Sequence, residues 1–312
     1  MTRTQKFGNN ENVKTLQFQK ESCQLIETSA PTPGPGQVLV RLRGAIIDET
    51  HLADYRLGDL QAPYIVSGEV LQPGQRVIDF RRGQFVAAVV SQPLCQYLVV
   101  DQQDLIPVEQ ARAASCLLMG IALALKAIPE AERYPESTVV GGAGFVGLTL
   151  SALLPTTAPW VFGTSDQSLL CARDLGAAHC KEWDVALEEL EQHIAIDRGY
   201  GAVLVETTGR LQERSWSQHL TLKGGTVVCA IPAGAGGAEL KLDATRLHYD
   251  QITWKAVGPV TSDDVLRARD YLDRVPDSLI TDQITFDQLV HAFHELDQER
   301  AICYLMTDDS DT

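Results

Sequence analysis

At 312 residues, the chain is long enough for two domains at about 150 residues each. Its 45% hydrophobic and 21% charged residues describe an ordinary globular protein. A formal charge of −15 argues against nucleic acid or an anionic membrane as partner, yet local helix dipoles still allow an anionic cofactor.

The stretch Met1 to Asn10 is polar, with no apolar signal core, and no apolar run reaches the ~18 residues of a membrane span. The expectation is a cytoplasmic protein. Seven cysteines are scattered without a C-x-x-C pair, which reads as buried reduced thiols rather than disulfides or a zinc cluster.

The first third reads as β-rich. Lys14 to Phe18 and Cys23 to Ile26 alternate, and Pro31-Thr-Pro-Gly-Pro-Gly36 breaks the pattern. Gln37-Val-Leu-Val-Arg-Leu-Arg43 alternates at period two, as a half-exposed antiparallel strand does. Pro73 to Ile78, Phe85 to Val90 and Gln96 to Val100 predict further strands, so this part is expected to be a small barrel or sandwich. Ala111 to Ile128 then turns helical, with Leu117, Leu118, Ile121, Leu125 and Ile128 on one side.

Thr138-Val-Val140 predicts a short buried strand, followed by the G-x-G-x-x-G pattern of Gly142, Gly144 and Gly147 and an apolar helix running to Pro155. In that context the glycines have separate tasks. Gly142 permits the tight turn, Gly144 admits a pyrophosphate to the backbone, and Gly147 lets helix and strand pack closely. The helix N-terminus, at Phe145 and Val146, offers N–H groups to the anion.

Beyond the loop the rhythm is βα. Strands are expected at Trp160–Gly163, Ala202–Glu206, Gly225–Ile231 and Ile252–Val257, with a helix from Ser168 to Leu175. Alternation of this kind implies a doubly wound parallel sheet with ligands at the strand carboxyl ends. Ser262-Asp-Asp264 caps one later helix and Thr285 starts another, which carries His291 and His294 at i, i+3. Without a third ligand nearby, that pair reads as a solvated face rather than a metal site.

The order of these parts resembles the medium-chain dehydrogenase/reductase superfamily along nearly the whole chain. Pro33-Gly-Pro-Gly-Gln-Val-Leu-Val-Arg41 is similar to its first long strand, and Pro73-Gly-Gln-Arg-Val77 to its G-D-R-V turn. Ala113 to Ala127 is similar to the helix before its cofactor loop. Asp174-Leu-Gly-Ala177, Leu222-Lys-Gly-Gly-Thr-Val-Val228 and Gln298-Glu-Arg-Ala-Ile302 are similar to three later segments. The resemblance implies an α/β protein. A GroES-like β-barrel domain over 1–128 and 276–312 would clamp a Rossmann dinucleotide-binding domain over 129–275, commonly as a homodimer.

The departures concern zinc. Where zinc-binding members carry a cysteine ligand, this chain has Asp48; their G-H-E segment has no counterpart, and the third ligand position falls near Leu118. Their four-cysteine structural zinc lobe is missing too. A catalytic zinc needs about three protein ligands. The expectation is therefore a metal-free oxidoreductase, close to the quinone oxidoreductase and enoyl reductase branches.

For the cofactor, the position that binds the ribose 2′-OH in NAD-type sites falls on Gly163, followed by Thr164 and Ser165. The missing acid favours NADP slightly, with NAD kept open because Asp166 would repel a phosphate. Thr207, Thr208 and Ile231 are further expected cofactor contacts, as is the Pro232–Gly237 loop. The resemblance places Asp48, Thr50, His51 and Tyr55 beside the nicotinamide as candidate proton donors, with Thr50 at the relaying hydroxyl. The expected substrate is a small carbonyl, quinone or enone. Two other readings stand beside it: a biosynthetic dehydrogenase resembling those acting on bacteriochlorophyllide side chains, or a cofactor-binding scaffold without activity.

Overall fold

Eight alternating residues on each side of a tight turn make a hairpin. In the computed structural model, β1 (Asn12–Gln19) and β2 (Ser22–Ser29) pair antiparallel, and Glu21 takes the left-handed φ of 58° that the turn requires. The structure describes residues 12–52, 55, 58, 64–108, 117–154, 160–192, 199–231, 239–298 and 301–307.

The long strand β3 (Gln37–Asp48) pairs with β4 (Tyr64–Pro73), which pairs with β5 (Phe85–Val90). Next come β6 (Tyr97–Asp101), also on β3, and β7 (Leu105–Pro107) on β5. The expected strand at 73–78 is corrected here. β4 ends at Pro73, and the following residues turn instead, with Gly74 N–H donating to the Gln37 carbonyl at 2.8 Å. A Cβ on Gly74 would sit 2.1 Å from the Gly34 carbonyl oxygen, and Ile78 is 83% exposed, so no apolar face holds a strand there.

Helix α1 (Leu118–Ala131) follows; the first part of the expected helix, 111–116, lies outside the described residues. It leads to β8 (Thr138–Gly141) and α2 (Phe145–Leu153). There follow β9 (Trp160–Gly163), α3 (Asp166–Asp174), β10 (His179–Glu182), α4 (Trp183–Gln192), β11 (Gly201–Glu206), α5 (Leu211–Leu220), β12 (Thr221–Cys229), α6 (Ala244–Tyr249) and β13 (Thr253–Ala256). All pairings among these strands are parallel, in the order β10-β9-β8-β11-β12-β13. That is the doubly wound order whose reversal falls between β8 and β11, where a ligand crevice is expected.

Several elements differ from the sequence expectation in detail. β10, α4, α5 and α6 lie outside the expected elements; β10, α5 and α6 are short or polar, whereas α4 does carry an apolar stripe of Trp183, Ala186, Leu187 and Leu190 at helical spacing. Helix α3 begins at Asp166, with Ser165 accepting from Ser168 N–H as its cap. The next helix, α7 (Ser262–Ala268), is capped by Thr261 with Asp264, one residue before the expected Ser262. β14 (Asp282–Thr285), α8 (Leu289–Asp297) and β15 (Cys303–Thr307) complete the chain. β15 returns antiparallel to β3, bringing Cys303 opposite Asp48, so the C-terminal strands join the first sheet. His291 and His294 lie exposed on α8. No helix among the described residues is long and apolar enough to cross a membrane.

Candidate functional site

A cleft with about 580 Å³ of empty space runs between the two sheets. Its floor is the turn from β8 into α2, and its walls come from both halves of the chain. Gly163, Thr164, Ser165 and Ser168 line one side, with Trp183, Thr207, Thr208 and Arg210 beyond them. Glu49, Leu52, Leu296, Ala301 and Ile302 close the cleft from the antiparallel half.

The glycine turn is built by steric necessity. Gly142 has φ +141°, and a Cβ there would meet Thr207 Oγ1 at 2.3 Å. A Cβ on Gly147 would lie 1.8 Å from the Gly142 carbonyl oxygen, so only glycine lets α2 start this close to the turn. Thr207 is buried and its hydroxyl donates to the Gly141 and Gly142 carbonyls at 3.4 and 3.3 Å, which ties the turn to the end of β11.

Gly144 caps α2 with extended backbone and no side-chain acceptor. The acceptor comes from elsewhere. Phe145 N–H donates to Glu49 Oε2 at 3.1 Å and Val146 N–H to Glu49 Oε1 at 3.4 Å. Glu49 belongs to the single 3-10 turn Glu49–His51 at the end of β3. Burial, and next the neighbouring Asp48 carboxylate, push its carboxyl up to about 8, against the pull of the Phe145 and Val146 N–H groups.

Asp48 organises that turn. It is fully buried and its Oδ1 accepts from Thr50 N–H at 2.9 Å and from the Thr50 hydroxyl at 2.5 Å. His51 Nδ1 lies 3.0 Å from the same oxygen and 3.3 Å from Thr50 Oγ1. Nδ1 also accepts from the Asp48 N–H at 3.3 Å, which closes a capping box over the turn. The His51 ring stacks on Tyr64 with centroids 4.2 Å apart. Asp48 Oδ2 has no hydrogen-bond partner among the described residues.

No family model matches the chain. A glucose 1-dehydrogenase of Methanocella arvoryzae is 28% identical over 241 residues, spanning 61% of this chain and 67% of that protein. An acetophenone reductase from Geotrichum candidum, solved with NAD, superposes with a TM-score of 0.79 at 15% identity, covering 98% of this chain and 100% of its own. A dehydrogenase from Sinorhizobium meliloti bound to NADP gives 0.76 at 15%, covering 96% and 100%. The chain has the medium-chain dehydrogenase/reductase fold.

Within that fold, the expected site residues divide into groups. Gly142, Gly144, Gly163, Thr164, Ser165, Thr207 and Thr208 come together around the cleft. Phe145 and Val146 contribute backbone N–H groups, while their side chains are wholly buried in the core. Asp48, Thr50 and His51 form the hydrogen-bonded turn described above. Tyr55 instead stacks on Phe293 of α8, centroids 6.0 Å apart, and desolvation followed by the charges of Asp297, Cys23 and Glu21 raises its hydroxyl. The Ile231 carbonyl accepts from Arg214 at 2.8 Å, and the 232–237 loop lies outside the described residues.

Sequence reasoning missed Glu49, Trp183, Arg210 and Arg214. Glu206, at the end of β11, braces the turn from below. Its Oε1 accepts from Thr208 N–H, the Thr208 hydroxyl and Gly209 N–H at 2.6 to 2.8 Å, and its Oε2 takes Arg214 Nε at 2.7 Å. Both side chains are buried. Glu206→Gln leaves the Arg214 charge without its counter-ion and should cost about 3 kcal/mol, read from the urea midpoint. The double variant with Arg214→Met should recover part of that loss; an unshifted midpoint in the single variant would show that the pair does not hold the turn.

Proposed function

We propose that the chain is a zinc-independent NAD(P)-dependent oxidoreductase that moves hydride to or from a small carbonyl, quinone or enone. The carrying observation is the anion cradle at the start of α2, where two backbone N–H groups already hold a carboxylate in the space a Gly144 side chain would fill. A group that binds one oxyanion with those donors suits a pyrophosphate. The cofactors bound in two structural neighbours, NAD in one and NADP in the other, support the same reading.

NADP is the better match to the far side of the cleft. A Cβ at Gly163 would come within 2.9 Å of Ala143 Cβ, so this backbone leaves no room for the acid that selects a ribose 2′-OH. Thr164, Ser165 and Ser168 supply hydroxyls there, and Arg210, 3.6 Å from Glu213, supplies a guanidinium on the same cleft. Arg210→Ala should weaken NADPH by about tenfold and NADH little, measured by calorimetry. Equal loss for both would remove Arg210 from the 2′-phosphate site. Gly144→Val should abolish stabilisation by either nucleotide in thermal unfolding, and equal stabilisation of wild type and variant would sink the cofactor reading.

Zinc does not fit these residues. No three His, Cys, Asp or Glu side chains converge among the described residues, and Leu118, at the third ligand position of zinc-binding members, is a buried aliphatic. Protein purified without chelator should carry well under one zinc per chain by elemental analysis; a stoichiometric metal that survives dialysis would reverse this assignment.

A nicotinamide bound here would supply or accept the hydride. The chain's own part is to hold the substrate and move a proton. Thr50, whose hydroxyl rests on Asp48 Oδ1 at 2.5 Å, is the group that would turn to pass a proton to the substrate oxygen, and a protonated His51, with Nδ1 3.3 Å from Thr50 Oγ1, would return one. Asp48 Oδ1 touches both donors and stabilises the charged imidazole. Thr50→Val should lower kcat about 100-fold with little change in NADPH affinity. Wild-type turnover by that variant on a good quinone, enone or aldehyde would move the proton donor elsewhere.

A further inference from the structure

The anion cradle is occupied by the protein itself. A Cβ built on Gly144 would land 2.2 Å from Glu49 Oε1 and 2.9 Å from Oε2. That is the space a glycine leaves open for a pyrophosphate to reach the backbone. The two N–H donors that would bind the phosphates are donating to Glu49. Two anions cannot share those donors at contact distance, because each is stabilised by the same positive end of α2 and each repels the other.

We propose that Glu49 is a resident anion of the dinucleotide cradle, and that a dinucleotide binds only by displacing its carboxylate. This rests on the cofactor reading above and deepens it: the antiparallel half of the chain sets cofactor affinity through an internal competitor. The competitor is delivered on a short rigid turn. Asp48 fixes the turn through Thr50 and His51, so Glu49 reaches α2 from a defined position rather than from a long loop.

The charged and titratable groups around Glu49 come from three directions. Asp48 and His51 share its turn, Cys303 faces it from β15, and Arg210 lines the same cleft from the loop after β11. Cys303 is buried with its thiol donating to the Leu279 carbonyl, and desolvation followed by the charges of Asp48 and Glu49 keeps it neutral. Asp48 is thus the anion that disfavours a charged Glu49. With its carboxyl raised to about 8, Glu49 is largely protonated at neutral pH and competes weakly there. As pH rises through about 8 it takes up its charge and competes more strongly, so dinucleotide affinity should fall as pH rises.

The experiment is calorimetric titration of the full-length wild type, Glu49→Gln and Glu49→Ala at pH 6.5, 7.5 and 9.0. NADPH is one ligand. ADP-ribose is the other, carrying the pyrophosphate without nicotinamide or 2′-phosphate. Both variants should bind both ligands at least about tenfold more tightly than wild type at pH 9.0, with the gap narrowing toward pH 6.5. Two substitutions of different size separate a true gain from a local rearrangement. Equal affinities for wild type and both variants at every pH would overturn the competition while leaving the cofactor site standing. No binding by any of the three proteins would overturn the cofactor reading itself, and the resident anion with it.

Discussion

The start of α2 needs an anion, and the sequence around it supplies none. A helix leaves its first N–H groups without intrahelical partners, and a Ser, Thr, Asp or Asn at the cap normally accepts one of them. Here the cap is Gly144, followed by Phe145 and Val146, whose side chains are committed to the core. The N–H groups at 145 and 146 therefore look outside their own segment. Either a bound phosphate or a carboxylate from another part of the chain can meet the need, and Glu49 does so across 96 residues of sequence.

Much of the surrounding architecture serves that junction. The glycine turn can be this tight only because 142 and 147 lack side chains, and it stays in place because Thr207 bonds its carbonyls. Thr207 is held in turn by the neighbouring Glu206–Arg214 pair, which shapes residues 206–209 beneath it. The parallel order β10-β9-β8-β11-β12-β13 opens the crevice between β8 and β11, where these parts meet. From the other side, β15 closes against β3 and fixes the end of that strand, Asp48, opposite Cys303. A net charge of −15 does not prevent anion binding at such a place. The field there is set by the helix end and by nearby backbone dipoles, not by the distant surface.

What was legible in the sequence was local. The β-branched run Thr138-Val-Val140 and the glycines after it declare their own geometry, and the parallel sheet followed from strands spaced by helices. Pro73 to Ile78 misled because its Val-Ile pair suggests a strand, while Pro73-Gly74 dictates a turn packed on Gly34. Helix α5 was illegible for the opposite reason: its buried residues include Glu213, Arg214, Ser217 and Gln218, so it shows no apolar stripe. Arg214 is inside only because Glu206 is there to meet it. Glu49 was passed over between two more obvious candidates, Asp48 and Thr50. Nothing in the residues beside it indicates that its carboxylate ends on a helix 96 positions away. Contacts of that separation are set by the fold and leave no periodic trace.

The proposed proton relay and the cradle meet at one residue, Asp48. Asp48 Oδ1 accepts from Thr50 and lies beside His51, while the Asp48 charge raises the carboxyl of Glu49 next to it. When Glu49 leaves the helix end it loses the N–H donors that favoured its anion, and its charge moves away from Asp48. The displacing pyrophosphate brings its own charge to the helix end, where the N–H groups and the dipole of α2 meet it. On this proposal, a pyrophosphate in the cradle lies next to the turn that carries Thr50 and His51, so the two tasks meet at the Asp48 carboxylate.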